Sequence, residues 1–195
     1  MRILAFADTH GELDFSHLEE FAEQADLIVC AGDISFFGGD LEETFFALED
    51  FAKKIKKPVL FIPGNHEQGE DIPESEHIIN IDQDTYHHDD VVVVGFGGGG
   101  FRKNDKAVEA FFSEVAPKHQ DKKQVWLFHG PPHNLKVDEI PGVGPTGCES
   151  KRKMIDTHKP VLVVAAHIHE QWGTVHKHDD IVIVNPGPFG RLLDI

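Results

Sequence analysis

Apolar residues occur in short unbroken runs separated by polar stretches. The runs are Ile3 to Ala7, Leu27 to Ala31, Val59 to Ile62, Val91 to Val94, Val125 to Phe128 and Val161 to Ala165. An unbroken apolar run of this length predicts a strand covered on both faces, as in the sheets of α/β proteins. Helical spacing appears between them. Ser16 and Glu19 stand at capping-box spacing, and Leu18, Phe21, Ala22 and Ala25 follow at i, i+3, i+4 and i+7. Asp40 and Glu43 predict a second cap, opening a helix lined by Phe45, Leu48, Ala52 and Ile55 with lysines clustered at its end. A third helix is expected near Thr146, with Glu149 at capping spacing. After residue 70 the texture shifts to polar turns and valine-rich strands, including the glycine-rich loop Gly95 to Gly100. His88-Asp89-Asp90 followed by Val91 to Val94 is echoed by His178-Asp179-Asp180 followed by Ile181 to Val184, which predicts two hairpins of shared turn chemistry rather than a domain repeat. With no linker or low-complexity tract in view, the expectation is a single α/β domain over residues 1–195.

Composition narrows the function classes. The 195 residues carry 18 Lys+Arg against 34 Asp+Glu, for a formal charge of −16, together with 14 His. A surface this acidic repels long polyanions, so DNA and RNA are poor candidate partners. The opening apolar run is cut by Asp8 and is too short for a secretory segment or a membrane span, so a soluble cytoplasmic protein without a membrane partner is expected. The only two cysteines, Cys30 and Cys148, make no disulfide framework and read as reduced thiols.

The chemistry lies where the strands stop. The first run ends in Asp8-Thr9-His10-Gly11, the second in Gly32-Asp33 and the third in Gly64-Asn65-His66-Glu67. The run at 125–128 ends in His129-Gly130-Pro131-Pro132, and that at 161–165 leads to His167-Ile168-His169-Glu170. One Asp after a strand is ordinarily a turn former or cap, and one His a hydrogen-bonded structural residue. Five strand ends that all carry metal-ligating residue types are not explained that way, and the carboxyl edge is where α/β sheets place ligands. Strand alternation would aim Asp8 with His10, and His167 with His169, into one cavity if extended geometry persists through each pair. Imidazole, carboxylate and amide donors suit Mn²⁺, Fe²⁺, Ni²⁺ or Zn²⁺. Asp8, His10, Asp33, Asn65, His129, His167 and His169 are too many ligands for one ion and suit two, about 3.5–4 Å apart, sharing a carboxylate.

The ordered set Asp-x-His, Gly-Asp, Gly-Asn-His-Glu, His-Gly and His-x-His, spanning residues 8–169, resembles the signature of the calcineurin-like metallophosphoesterases. In the detail of His129-Gly130-Pro131-Pro132 and His167-Ile168-His169-Glu170 it is most similar to the small members that resemble cyclic-nucleotide phosphodiesterases. The resemblance implies a four-layer α/β/β/α sandwich and two divalent ions, with Mn²⁺ preferred and Fe, Ni or Zn as alternatives. It implies Asp8, His10, Asp33 and His169 around the first ion, and Asp33, Asn65, His129 and His167 around the second, with Asp33 bridging. A hydroxide between the ions would be the nucleophile, and His66 would protonate the leaving oxygen or stabilise charge on the phosphoryl group. Two such ions offset the local carboxylates, so a small phosphate ester can bind where the net charge repels a long polyanion.

Two departures from the family pattern matter. Ala166 stands where glycine usually precedes His-x-His, and if that position needs positive φ its methyl costs about 1 kcal/mol and crowds the second ion. Asp33 is followed by Ile34-Ser35-Phe36 rather than Asp-Arg-Gly, which argues against a phosphoprotein phosphatase. Arg102, Lys103 and Arg191 are candidate phosphate contacts, set against the plainer reading of solvated loop cations. The functional expectation is a small-phosphodiester hydrolase, cyclic nucleotides included; the alternatives are a phosphomonoesterase, a nuclease of the same fold, or a non-catalytic protein-binding scaffold.

Overall fold

The structure is a computed structural model that describes every residue except Gly38. The chain runs β1 (Arg2–Phe6), α1 (Glu19–Gln24), β2 (Leu27–Cys30), α2 (Leu41–Ile55), β3 (Val59–Phe61), β4 (Ile78–Asn80), β5 (Thr85–His88) and β6 (Val91–Phe96). It continues through α3 (Lys106–Val115), β7 (Lys123–Phe128), β8 (Glu139–Ile140), β9 (Gly144–Pro145), α4 (Glu149–His158), β10 (Leu162–Val164), β11 (Val175–His178), β12 (Ile181–Val184) and β13 (Arg191–Asp194). Short 3₁₀ turns cover Ser16–Leu18, Ala116–His119 and His169–Gln171.

Two sheets result. The first has the order β13-β1-β2-β3-β4, parallel except for β13, and the second β11-β12-β10-β7-β6-β5, with a parallel centre and an antiparallel strand at each edge. The unbroken apolar runs are explained by what covers them. Ile3, Ala5, Leu27, Val29 and Leu60 of the first sheet pack against Val91, Val93, Val125, Leu127, Leu162 and Val164 of the second. The alternate residues Leu4, Phe6, Ile28 and Cys30 pack under α1 and α2, while Val92, Val94, Trp126, Phe128 and Val163 pack under α3 and α4. Each central strand is thus buried on both faces, and the layers run helix, sheet, sheet, helix. This is an α/β fold in the expected four-layer arrangement. Both cysteines are buried and free. Among the described residues no helix is long and apolar enough to cross a membrane.

The echoed segments are the two hairpins β5–β6 and β11–β12, at opposite edges of the second sheet. Asp89 and Asp179 take matching positive φ of 50° and 53°, which aspartate tolerates better than most residues. Helix starts are less well anticipated. No side-chain cap forms at Ser16, whose own N–H is taken by Asp14 Oδ1 at 2.9 Å, and Phe21 is exposed. Asp40 does stand at the start of α2, but its carboxylate accepts from the Phe36 N–H at 2.6 Å instead of from its own helix. The helix expected near Thr146 begins at Glu149, because the Thr146 hydroxyl is spent on the Asp138 carbonyl at 3.0 Å. Helix α3 was not anticipated, although Asp105 caps it through Ala107 and Val108, and Val108, Phe111, Phe112 and Val115 have helical spacing.

Candidate metal centre

β1, β2 and β3 of the first sheet and β7 and β10 of the second all end at one edge of the sandwich, so their carboxyl ends meet there. Left-handed backbone, not extended strand, delivers four of the side chains. Asp8, His10, Asp33 and His167 have φ of 56°, 44°, 52° and 73°, so extended geometry does not persist through either His-containing pair. Non-glycine residues at positive φ cost about 1–2 kcal/mol each and cluster where function over-determines the backbone. Asp8 and His10 stay together, but the second pair divides: His169 joins Asp8 and His10, while His167 joins Asp33 and His129. A third grouping, His10, Asp33 and His66, shares His10 with the first and Asp33 with the second. In each group the donor atoms lie within 4.8 Å of one another.

The polar contacts are short. His10 Nε2 and His169 Nε2 are 2.9 Å apart, and His129 Nε2 stands 2.9 Å from Asn65 Oδ1 and 3.2 Å from Asp33 Oδ2. His129 Nδ1 lies 2.8 Å from the Ala31 carbonyl, which holds a proton there and leaves Nε2 as the outward donor atom. Burial pushes Asp33 up, but the hydrogen bond and charge of His129 and the His66 N–H outweigh it and hold the carboxyl at about 2. Burial pushes the His167 imidazole down to about 4, so at neutral pH it presents a lone pair. Burial likewise lowers His10, against the pull of Asp33 and Asp8.

These donors fit divalent cations. His167 Nε2 is a buried atom with no hydrogen-bond partner, and a buried unpaired imidazole nitrogen is costly unless something accepts its lone pair. Two imidazole nitrogens 2.9 Å apart match the edge of a ligand shell with metal–nitrogen bonds of about 2.1 Å. Ala166 does not interfere. It lies outside the positive-φ residues, its methyl is buried with Ala7, Ala31 and Ile62 between the sheets, and the left-handed residue is its neighbour His167. The expected strain at this position is therefore absent.

Two supporting residues escaped the sequence reading. Glu67, 1% exposed, accepts from the backbone N–H groups of Asp33, Ser35 and Gly64 at 2.8, 2.9 and 2.8 Å and from Ser35 Oγ at 2.6 Å. It ties the loop after β2 to the loop after β3. Those loops touch so closely that a Cβ on Gly64 would meet Asp33 Oδ1 at 2.0 Å, and one on Gly32 would meet Gly64 N at 2.2 Å. Trp172 donates its indole N–H to Asp8 Oδ2 at 3.0 Å. Nothing in the local pattern marks Trp172; Glu67 was visible only as the last letter of its motif. Trp172→Phe keeps the ring and removes this hydrogen bond, so metal affinity should fall roughly 10–100-fold, as read by competition with a fluorescent chelator.

His66 sits beside the clusters. Its backbone N–H donates to Asp33 Oδ1 at 2.9 Å, its ring stacks on Phe37 at 3.9 Å, and its Nε2 is 3.8 Å from Asp33 Oδ2. Nδ1 faces the Phe37 N–H at 3.2 Å and the Ser35 carbonyl at 3.1 Å, so Nε2 is the nitrogen turned toward the clusters. Two of the candidate substrate cations are ion-paired. Arg102 pairs with Asp105 at 2.9 Å, Lys103 with Glu149 at 3.2 Å, and Arg191 is exposed at the start of β13, in register with Ala5.

The family model of the calcineurin-like phosphoesterases matches residues 1–171. The chain belongs to this family. An uncharacterized protein of Methanocaldococcus jannaschii is 30% identical over 200 residues, covering 96% of this chain and 88% of that one. Among solved structures, one from Thermus thermophilus superposes with TM-score 0.68 at 20% identity, covering 96% of this chain and 89% of that one. Phosphopantetheinyl hydrolase from Mycobacterium tuberculosis superposes with TM-score 0.60 at 14% identity, covering 98% and 95%. At these identities the structures show a shared fold. Family membership, with clusters of metal-ligating side chains at the sheet edge, makes this phosphoesterase a metal-dependent phosphoric ester hydrolase.

Proposed function

We propose that the chain hydrolyses a small phosphodiester, with Asp8, His10, Asp33 and His169 holding one divalent ion and Asp33, Asn65, His129 and His167 the other. The observation that carries this reading is the pair of ligand clusters joined through His10 and Asp33, with His66 at their border. Bound divalent ions supply an activated water and take up charge on phosphoryl oxygens. The protein does the rest. His66 Nε2 is available to the leaving oxygen, Glu67 fixes the loops that present Asp33 and Asn65, and Trp172 fixes Asp8.

A diester is favoured over a monoester by charge. A diester carries one negative charge and a monoester up to two, and the nearby cations are already engaged. Arg102 and Lys103 are ion-paired, and buried Lys151 donates to the Gly130 carbonyl at 2.7 Å. The deciding experiment sets p-nitrophenyl phosphate, bis-p-nitrophenyl phosphate and a panel of cyclic nucleotides against Mn²⁺, Fe²⁺, Ni²⁺ and Zn²⁺. Diester turnover highest with Mn²⁺ is expected; comparable turnover of the monoester sinks the diester preference.

Metal should also stabilise the fold, since the ligands converge only in the native state. At a hundredfold excess over Kd one site adds about 2.7 kcal/mol. Melting temperature should rise on titrating Mn²⁺ into chelator-treated protein and fall again on chelation.

A further inference from the structure

Half of the large apolar side chains that the fold leaves exposed are rings gathered at the metal centre. Phe36 meets His10 and His66 edge-on at 6.2 and 5.7 Å, and Phe37 stacks on His66. Phe101 meets His167 at 4.6 Å, Trp172 lies on His169 at 4.6 Å, and Phe189 meets Trp172 at 6.4 Å. Phe36, Phe37, Phe101 and Phe189 are 61–69% exposed, so each keeps ring surface free for a ligand. Such a collar is costly to leave in water, and exposed apolar patches of this kind mark binding surfaces.

Backbone contacts, not burial, hold the first two rings in place. Phe37 has φ of 53°, an unfavourable value for a bulky residue, and its N–H is bonded to His66 Nδ1. Its neighbour Phe36 is fixed by the Asp40 carboxylate on its own N–H. The strain is spent on presenting apolar surface beside the one imidazole placed to protonate a leaving group.

We propose that Phe36 and Phe37 form a subsite for the leaving group, and that this group carries a flat aromatic ring. The inference rests on the phosphoesterase reading above, with His66 on the leaving-group side. A ring is favoured over an aliphatic chain by the shape of the surroundings. The collar is made of aromatic side chains on an open rim, where a flat ring buries one face on a single platform. A chain needs an enclosing groove, and the neighbouring cavity of about 520 Å³ is lined by Glu67, Gln68, Asn80, Asp82 and Arg102, which suit polar contacts.

The test uses phosphonates, which cannot lose the organic group by ester hydrolysis. Methylphosphonate reaches only the centre and is the internal reference, while benzylphosphonate and cyclohexylmethylphosphonate match in size and differ in aromaticity. Titration calorimetry on the Mn²⁺-loaded protein should show benzylphosphonate binding about tenfold tighter than cyclohexylmethylphosphonate. That advantage, taken relative to methylphosphonate, should disappear in Phe36→Leu and in Phe37→Leu. Equal affinity for the two bulky ligands in the unmodified protein, or an advantage retained in both variants, overturns the subsite. If methylphosphonate still binds and is released by chelation, the phosphoesterase reading survives that result. Absence of methylphosphonate binding overturns both.

Discussion

Replacing His66 with alanine should leave two bound metal equivalents and a native melting temperature while lowering kcat by about 10²–10⁴-fold, the usual contribution of a positioned general acid. The expectation follows from how the ring is held. Its Nδ1 faces the Phe37 N–H and the Ser35 carbonyl, so Nε2 is the nitrogen left to the centre, and it already approaches Asp33 Oδ2 to 3.8 Å. Because His66 also lies in the grouping with His10 and Asp33, its loss has two separable outcomes. A proton donor lost alone gives full metal content with slow turnover, steepest for esters whose leaving alcohol has a high pKa. A missing ligand gives metal deficit and recovery at high Mn²⁺. Elemental analysis beside a leaving-group series separates them; wild-type kcat with full metal content removes the assigned role altogether.

The sequence made the strands and the chemistry at their ends legible for one reason: residues buried on both faces must be apolar, so polar letters resume only where the sheet stops. Leu4 and Phe6 face α1 and α2 while Ile3 and Ala5 face the other sheet, and the alternation is invisible because neither face is wet. That masking hid which strands share a sheet. The same runs serve β1–β3 and β6, β7 and β10, and only pairing across distant residues sorts them. Caps misled because Ser16, Asp40 and Thr146 each had a competing partner in the fold that spacing does not reveal. Helix α3 was legible through Asp105 and the spacing of Val108, Phe112 and Val115, but the glycine-rich loop before it drew the reading toward turns.

At the centre, the sequence displayed the donor residues but not their partition. Alternation in an extended strand would send His167 and His169 the same way; instead φ of 73° at His167 turns the chain so that the two rings face different clusters. Positive φ also occurs at Asp8, His10 and Asp33, and the enrichment of Asp and His in that region is too weak to announce it at a given position. The supporting contacts were less legible still. The Trp172 indole reaches Asp8 across 164 residues of chain, a proximity that only the closing of the two sheets produces.

Glu67→Ala should be the most damaging single change outside the proposed ligands. The buried carboxylate is the acceptor for three backbone N–H groups and one hydroxyl, and each orphaned buried donor costs about 1–3 kcal/mol. Water entering the space left by the side chain recovers part of that, so a net loss of about 3–5 kcal/mol is expected, a large share of a typical domain stability of about 5–15 kcal/mol. The functional loss should exceed the loss of stability. Asp33 holds φ of 52° with its N–H pinned by Glu67; released, it relaxes toward ordinary backbone, and the one carboxylate shared by the bridging groups leaves them. Glu67→Gln separates charge and shape from simple occupancy. It keeps an oxygen for Asp33 and Gly64 N–H and turns its amide toward Ser35, where the hydroxyl can accept but the Ser35 N–H loses its partner. The expected order of melting temperature and of Mn²⁺ affinity by calorimetry is therefore wild type, then Gln, then Ala. An alanine variant that binds metal and melts like the parent shows that the two loops hold themselves, and that Glu67 is a passenger in the Gly64-Asn65-His66-Glu67 turn.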